Sequence, residues 1–140
     1  IVIQIYTTPS CASCRKAKKW FDQYKIPYSE KNIFSIKLSK EDIFRMLANS
    51  ENGFDDIIST RSKVFKEKKL DPDNMSVQEL IEFIIDYPSV LKRPIIINEN
   101  ELQVGYNNED ITIFLPKELR NLDSFSDFDA EPINVKYSKK

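Results

Sequence analysis

Histidine is absent from the 140 residues, and cysteine and glycine occur only twice each. Without histidine there is no imidazole to serve as a base near neutral pH. Two thiolates fill only half of a tetrahedral zinc shell, so a metal would need a second subunit or carboxylate ligands. No metal and no cofactor are expected. A dominant charge of one sign is missing too: 21 basic residues stand against 22 acidic ones, a formal net charge of -1. That argues against unaided DNA binding, because neutralising phosphates takes a concentrated basic face. No apolar run reaches the ~18 residues needed to cross a bilayer, and no basic, apolar leader precedes the first strand-like run. These absences point to a cytoplasmic protein with no membrane partner, a setting in which a cysteine pair is more often reactive than structural. What is present, 41% hydrophobic and 31% charged residues, suits one globular domain carrying an insertion.

The two cysteines lie together in Cys11-Ala12-Ser13-Cys14. Upstream, IVIQIY reads as a strand, and Thr7-Thr8-Pro9-Ser10 breaks it. From Cys14, Ala17, Trp20, Phe21 and Tyr24 recur at helical spacing. Both sulfurs are therefore expected in the first turn of a helix, with Cα atoms roughly 5 Å apart, close enough to form a disulfide. The positive end of that helix and the cluster Arg15, Lys16, Lys18 and Lys19 should lower the pKa of Cys11. Cys11 is then the attacking thiol and Cys14 the resolving one. The plainer alternative, two small hydrophobes at a strand end, gives way to the redox signature of C-x-x-C following a strand.

Along the rest of the chain, Tyr28 to Ile33 reads as a second strand, parallel to the first. Ser39 and Ser76 open capping boxes for two helices. The first carries Ile43, Met46 and Leu47 on one face, and the second Val77, Leu80, Ile81, Ile84 and Ile85. Gly53, between Asn52 and Phe54, is expected in a conformation that other residues avoid, with a helix C-cap as its plainest role. Phe54 to Leu70 reads as two short helices with Arg61, Lys63, Lys66, Lys68 and Lys69 on a solvated face. Ile95 to Gly105 reads as a hairpin, followed by a helix with Ile111, Phe114 and Leu115 that ends at Pro116. The predicted fold is α/β: a thioredoxin-like core over 1–35 and 91–118, an inserted helical subdomain over 36–90, and a mobile tail over 119–140. In such folds the proline before the third strand is often cis and faces the thiols, which is where Pro94 lies. Arg93 beside it could then stabilise a thiolate or an oxyanion.

YTTPSCASCRKA, NGFDDIISTRSKVF and LKRPIIINENELQVGYNNEDI together resemble the Spx regulators of Gram-positive bacteria, relatives of the glutaredoxin-like arsenate reductases. The resemblance spans residues 1 to about 120. It implies a redox-sensing global transcriptional regulator, monomeric alone. Its partner would be the C-terminal domain of the RNA polymerase α subunit, with DNA met only as part of the polymerase complex and a protease adaptor as a further partner. It also implies that a Cys11–Cys14 disulfide modulates activity, that Gly53 lies at the polymerase contact, and that Arg93 supports the oxidised form. The related reductases use one nucleophilic cysteine and three arginines. Arg61 and Arg93 match two of these, and the third falls within Gln103 to Tyr106, where this chain has no arginine. The tail also lacks the apolar end expected of a proteolysis tag. A regulator that does no turnover is thus the expected class. A glutaredoxin-like thiol oxidoreductase or arsenate reductase is the alternative.

Overall fold

The isoleucines of strand β3 (Ile95–Ile97) are all 2% exposed or less, with Ile95 and Ile97 in one apolar cluster and Ile96 in another. Branched residues hidden on both faces place β3 inside the sheet. The structure is a computed structural model that describes residues 2–120. β3 runs antiparallel to β1 (Ile3–Thr7) and to β4 (Leu102–Val104), while β2 (Tyr28–Asn32) runs parallel to β1, giving the order β2-β1-β3-β4. This mixed four-stranded sheet with helices on both faces is the thioredoxin-like arrangement.

Helix α1 (Ala12–Gln23) buries Cys14, Ala17, Trp20 and Phe21. Ala17, Trp20 and Phe21 pack against Ile3, Ile5 and Ile96 on one sheet face. The segment 36–90 supplies α2 (Lys40–Ala48), α3 (Phe54–Ile57), α4 (Lys63–Glu67) and α5 (Val77–Asp86). Its buried residues share a cluster with Tyr6, Ile95 and Ile97 on the opposite face. Both capping boxes form: Ser39 with Asp42, and Ser76 with Glu79.

Several expectations are corrected. Val77 is 56% exposed, because at the first position of α5 it lies beside exposed Phe44 in a shallow groove and not over the sheet. Gly53 is the N-cap of α3, not a C-cap; Asn49 ends α2. The helix expected over Ile111 and Phe114 is a 3-10 turn (Asp110–Phe114), since Leu115 is already extended ahead of Pro116, and a short α6 (Lys117–Arg120) follows. The predicted tail falls almost wholly outside the described residues. Among those residues, no helix is long and apolar enough to cross a membrane.

One buried network ties the helical layer to the strand that leads to the cysteines. The Tyr6 hydroxyl donates to the Asp42 carboxylate at 2.8 Å, and Arg45 donates to the same oxygen at 3.0 Å. Burial, followed by the contact with Asp42, pushes the Tyr6 phenol up to about 12. Burial opposes ionisation of Asp42, but hydrogen bonds from Ser39 and Tyr6 and the charge of Lys31 outweigh it and hold the carboxyl below its usual range. A carboxyl depressed in the folded state stabilises fully above its unfolded value of about 3.9, and the contribution is lost as pH falls through the lower folded value. Asp42→Ala is expected to cost about 2 kcal/mol in urea unfolding at pH 7. The difference from the parent should vanish in acid, and a cost that persists there would assign the effect to packing.

Candidate functional site

The redox pair is built on the start of α1. Cys11 is the N-cap, with extended backbone (φ -118°, ψ 108°), and its sulfur accepts a hydrogen bond from the Cys14 amide at 3.0 Å. The sequence placed both sulfurs inside the helix; Cys11 instead lies just outside it, because Pro9 and Ser10 hold the chain in a turn up to the cap. The two Cα atoms are 5.2 Å apart and the sulfurs are joined as a disulfide. In the dithiol form, the Cys14 amide and the positive end of the helix both favour a Cys11 thiolate. Lys18 contributes less than expected, since its ammonium pairs with Glu30 at 3.0 Å.

Burial separates the two sulfurs. Cys14 is 1% exposed, whereas Cys11 is only partly covered. An incoming thiolate or oxidant must therefore meet Cys11 first. After reduction, iodoacetamide is expected to alkylate Cys11 rapidly and Cys14 slowly; equal rates would remove the assignment of attacking and resolving roles.

Cys11 opens onto a cleft of about 720 Å³ whose walls include Arg61 and Arg93. The Arg93–Pro94 peptide is cis. The Arg93 guanidinium donates to the backbone carbonyls of Leu91 at 3.0 Å and Ser89 at 3.2 Å, and lies 5.8 Å from the centre of the Phe34 ring. Burial lowers its pKa from the ordinary value. Arg61 lies on the exposed rim. Gln103 to Tyr106, where a third arginine would fall, are not among the cleft's lining residues, and Tyr106 packs against the α1 cluster.

Gly53 is not in this cleft. It sits in the loop between α2 and α3 at φ 66° and ψ -132°, a region that side chains other than glycine's avoid. A Cβ built there would meet nothing within 4 Å. The loop is closed by its own polar groups: Gly53 N–H donates to Ser50 Oγ at 3.0 Å, and the Asp56 carboxylate accepts from the amides of Glu51 and Asn52, both at 2.9 Å. Those amides are the main reason why the Asp56 carboxyl lies below its ordinary range. Among the described residues, no group of three or more acidic or sulfur side chains is placed to hold a metal. Sequence reasoning passed over Lys92, which lines the redox cleft and donates to the Asp55 carbonyl at 3.3 Å. Its adjacency to Arg93 was the available signal.

Residues 6–114 match the ArsC family. Global transcriptional regulator Spx 1 of Bacillus cereus is 50% identical over 119 residues, which cover 85% of this chain and 91% of that one. Global transcriptional regulator Spx of Bacillus subtilis is 48% identical over 120 residues, covering 86% and 92%. Among solved structures, a putative ArsC family related protein from Bacteroides fragilis aligns with TM-score 0.70 at 26% identity, covering 79% of this chain and 94% of that one. An arsenate reductase from Vibrio cholerae aligns with TM-score 0.74 at 19% identity, covering 82% and 98%, a likeness of fold alone.

Proposed function

We propose, from the premise that the chain belongs to the ArsC family and within it to the Spx regulators, that this global transcriptional regulator senses redox state through Cys11 and Cys14. It reports that state by binding the C-terminal domain of the RNA polymerase α subunit in the cytoplasm. The observation that carries the sensing role is the one-sided disulfide at the N-terminus of α1: the pair closes within a helical turn, and only Cys11 can be approached. A thiol pair that changes one charge beside a half-buried guanidinium is suited to switching a surface. In the dithiol form Arg93 pairs with the Cys11 thiolate. In the disulfide form that charge is gone and the guanidinium holds the carbonyls of Ser89 and Leu91. Arg61 gives further anion support from the rim, and Gly53 lies at the polymerase contact. Residues 1–35 and 91–118 serve as the sensing core and 36–90 as the block that presents the surface.

An arsenate reductase or glutaredoxin-like oxidoreductase is the second reading, favoured by the cleft and by the reductase fold. With two arginines instead of three, the cleft supports a regulator that does no turnover. Purified α C-terminal domain is expected to bind the disulfide and dithiol forms with affinities that differ about tenfold, within the usual range of allosteric coupling. Sustained arsenate or disulfide turnover with a glutathione-type reductant, together with equal binding in both forms, would establish the enzyme instead.

A further inference from the structure

The redox cleft and the Gly53 loop are joined by a short piece of paired backbone. Ile58 and Leu91 form an isolated antiparallel bridge, flanked by bonds from Ser59 N–H to the Val90 carbonyl and from Lys92 N–H to the Ile57 carbonyl, both at 2.8 Å. One end of this ladder lies under Arg93, which holds the carbonyls of Ser89 and Leu91. The other end runs into α3, whose N-cap is Gly53. Lys92 reaches further along the same line. Its ammonium donates to the Asp55 carbonyl, and it borders a second cavity of about 480 Å³ together with Glu51 and Asp56. Asp56 holds the amides of the Gly53 loop. The positive charge of Lys92 also helps, as a minor contribution, to keep the Asp56 carboxylate ionised.

We infer that Lys92 is a positioning residue that fastens the Gly53 loop to the 57–59/90–92 ladder, so that a change at Cys11 and Arg93 is felt as a change in the order of that loop. The inference deepens the proposed function and rests on it for the identity of the partner. With the disulfide closed, Arg93 caps two carbonyls of the ladder segment, and Lys92 extends that order to α3. With the thiolate present, Arg93 turns into the cleft, the two carbonyls lose their donor, and the ladder loosens. The bistable element required of such a coupling is thus the choice of acceptor made by one guanidinium.

Amide hydrogen exchange reads this without any partner. On reduction of the parent protein, the amides of Gly53, Asp56, Ser59 and Lys92 are expected to exchange roughly tenfold faster, while the Asp42 amide, capped by Ser39 across the helical layer, keeps its rate. In Lys92→Met, the loop amides should exchange at one fast rate in both redox states, and the ratio of α C-terminal-domain affinities between the two states should fall to about one. Lys92→Arg, which keeps a donor within reach of the Asp55 carbonyl, should restore both. If exchange at these amides is the same in both states of the parent, or if Lys92→Met keeps the parent's redox response, the relay is overturned. If instead the exchange pattern holds but the parent fails to bind α C-terminal domain in either state, the relay stands and the choice of partner falls.

Discussion

Gly53→Arg is expected to weaken α C-terminal-domain binding about 100-fold, equivalent to ~2.8 kcal/mol, with the near-ultraviolet dichroism and thiol titration of the protein unchanged. Two features of the loop lead there. The backbone at φ 66° and ψ -132° is natural only for glycine, and the space where a side chain would project is open. A side chain there therefore leaves the backbone into open space, and an arginine is long enough to block a partner docking on the loop. The backbone cost of about 1–3 kcal/mol is local to the loop. Gly53→Ala separates the two contributions, because it carries the same backbone strain without the bulk. An alanine variant that loses only about tenfold while arginine loses the full amount marks steric exclusion at the interface. Equal losses would assign the effect to loop conformation, and undiminished binding by both would move the contact elsewhere.

Arg93→Ala is expected to lower the midpoint potential of the Cys11–Cys14 pair by about 30 mV, which corresponds to ~1.4 kcal/mol for a two-electron couple. The sign follows from what the guanidinium gives up. In the disulfide form it holds two carbonyls, at 3.0 and 3.2 Å. For the thiolate to draw it away, the new charge-assisted contact must outweigh those two bonds, so Arg93 favours the reduced form, the reverse of the support for the oxidised form that the resemblance implies, and its removal favours the disulfide. The same variant should raise the pKa of the Cys11 thiol and equalise α C-terminal-domain binding between the two redox states. A glutathione titration reads the potential. An unchanged midpoint together with unchanged redox-dependent binding would reduce Arg93 to a residue that holds a turn.

Where local rules decide the structure, the sequence was sufficient. Ser39 with Asp42 and Ser76 with Glu79 satisfy orphan amides within one turn, and both boxes form. The apolar run Ile95-Ile96-Ile97 likewise read as the first strand of a hairpin, and it forms β3, paired antiparallel with β4. The misreadings lie where distant groups decide. Gly53 looked like the end of α2, but Ser50 and Asp56 fold the loop back on itself and make it the start of α3. Lys18 looked available to a thiolate, but Glu30 on the neighbouring strand takes its charge. Cys11, Arg61 and Arg93 line one cleft; the proline-before-strand rule draws attention to Arg93 and the family resemblance to Arg61, each as support for a thiolate or anion. The carbonyl partners of Arg93 and the reach of Lys92 to α3 were not foreseen, since they depend on how residues 88–92 pass beside residues 57–59.

The central claim is that the redox state of one disulfide and the occupancy of one protein-binding surface are the same equilibrium seen from two sides. Linkage makes it reciprocal: if closing Cys11–Cys14 changes affinity for the α C-terminal domain tenfold, saturating α C-terminal domain must shift the midpoint potential of the pair by about 30 mV. The most direct measurement is that midpoint, titrated with and without the domain. A shift of about this size, absent in Gly53→Arg, is the predicted result, and a midpoint indifferent to the domain in the parent protein would contradict the account.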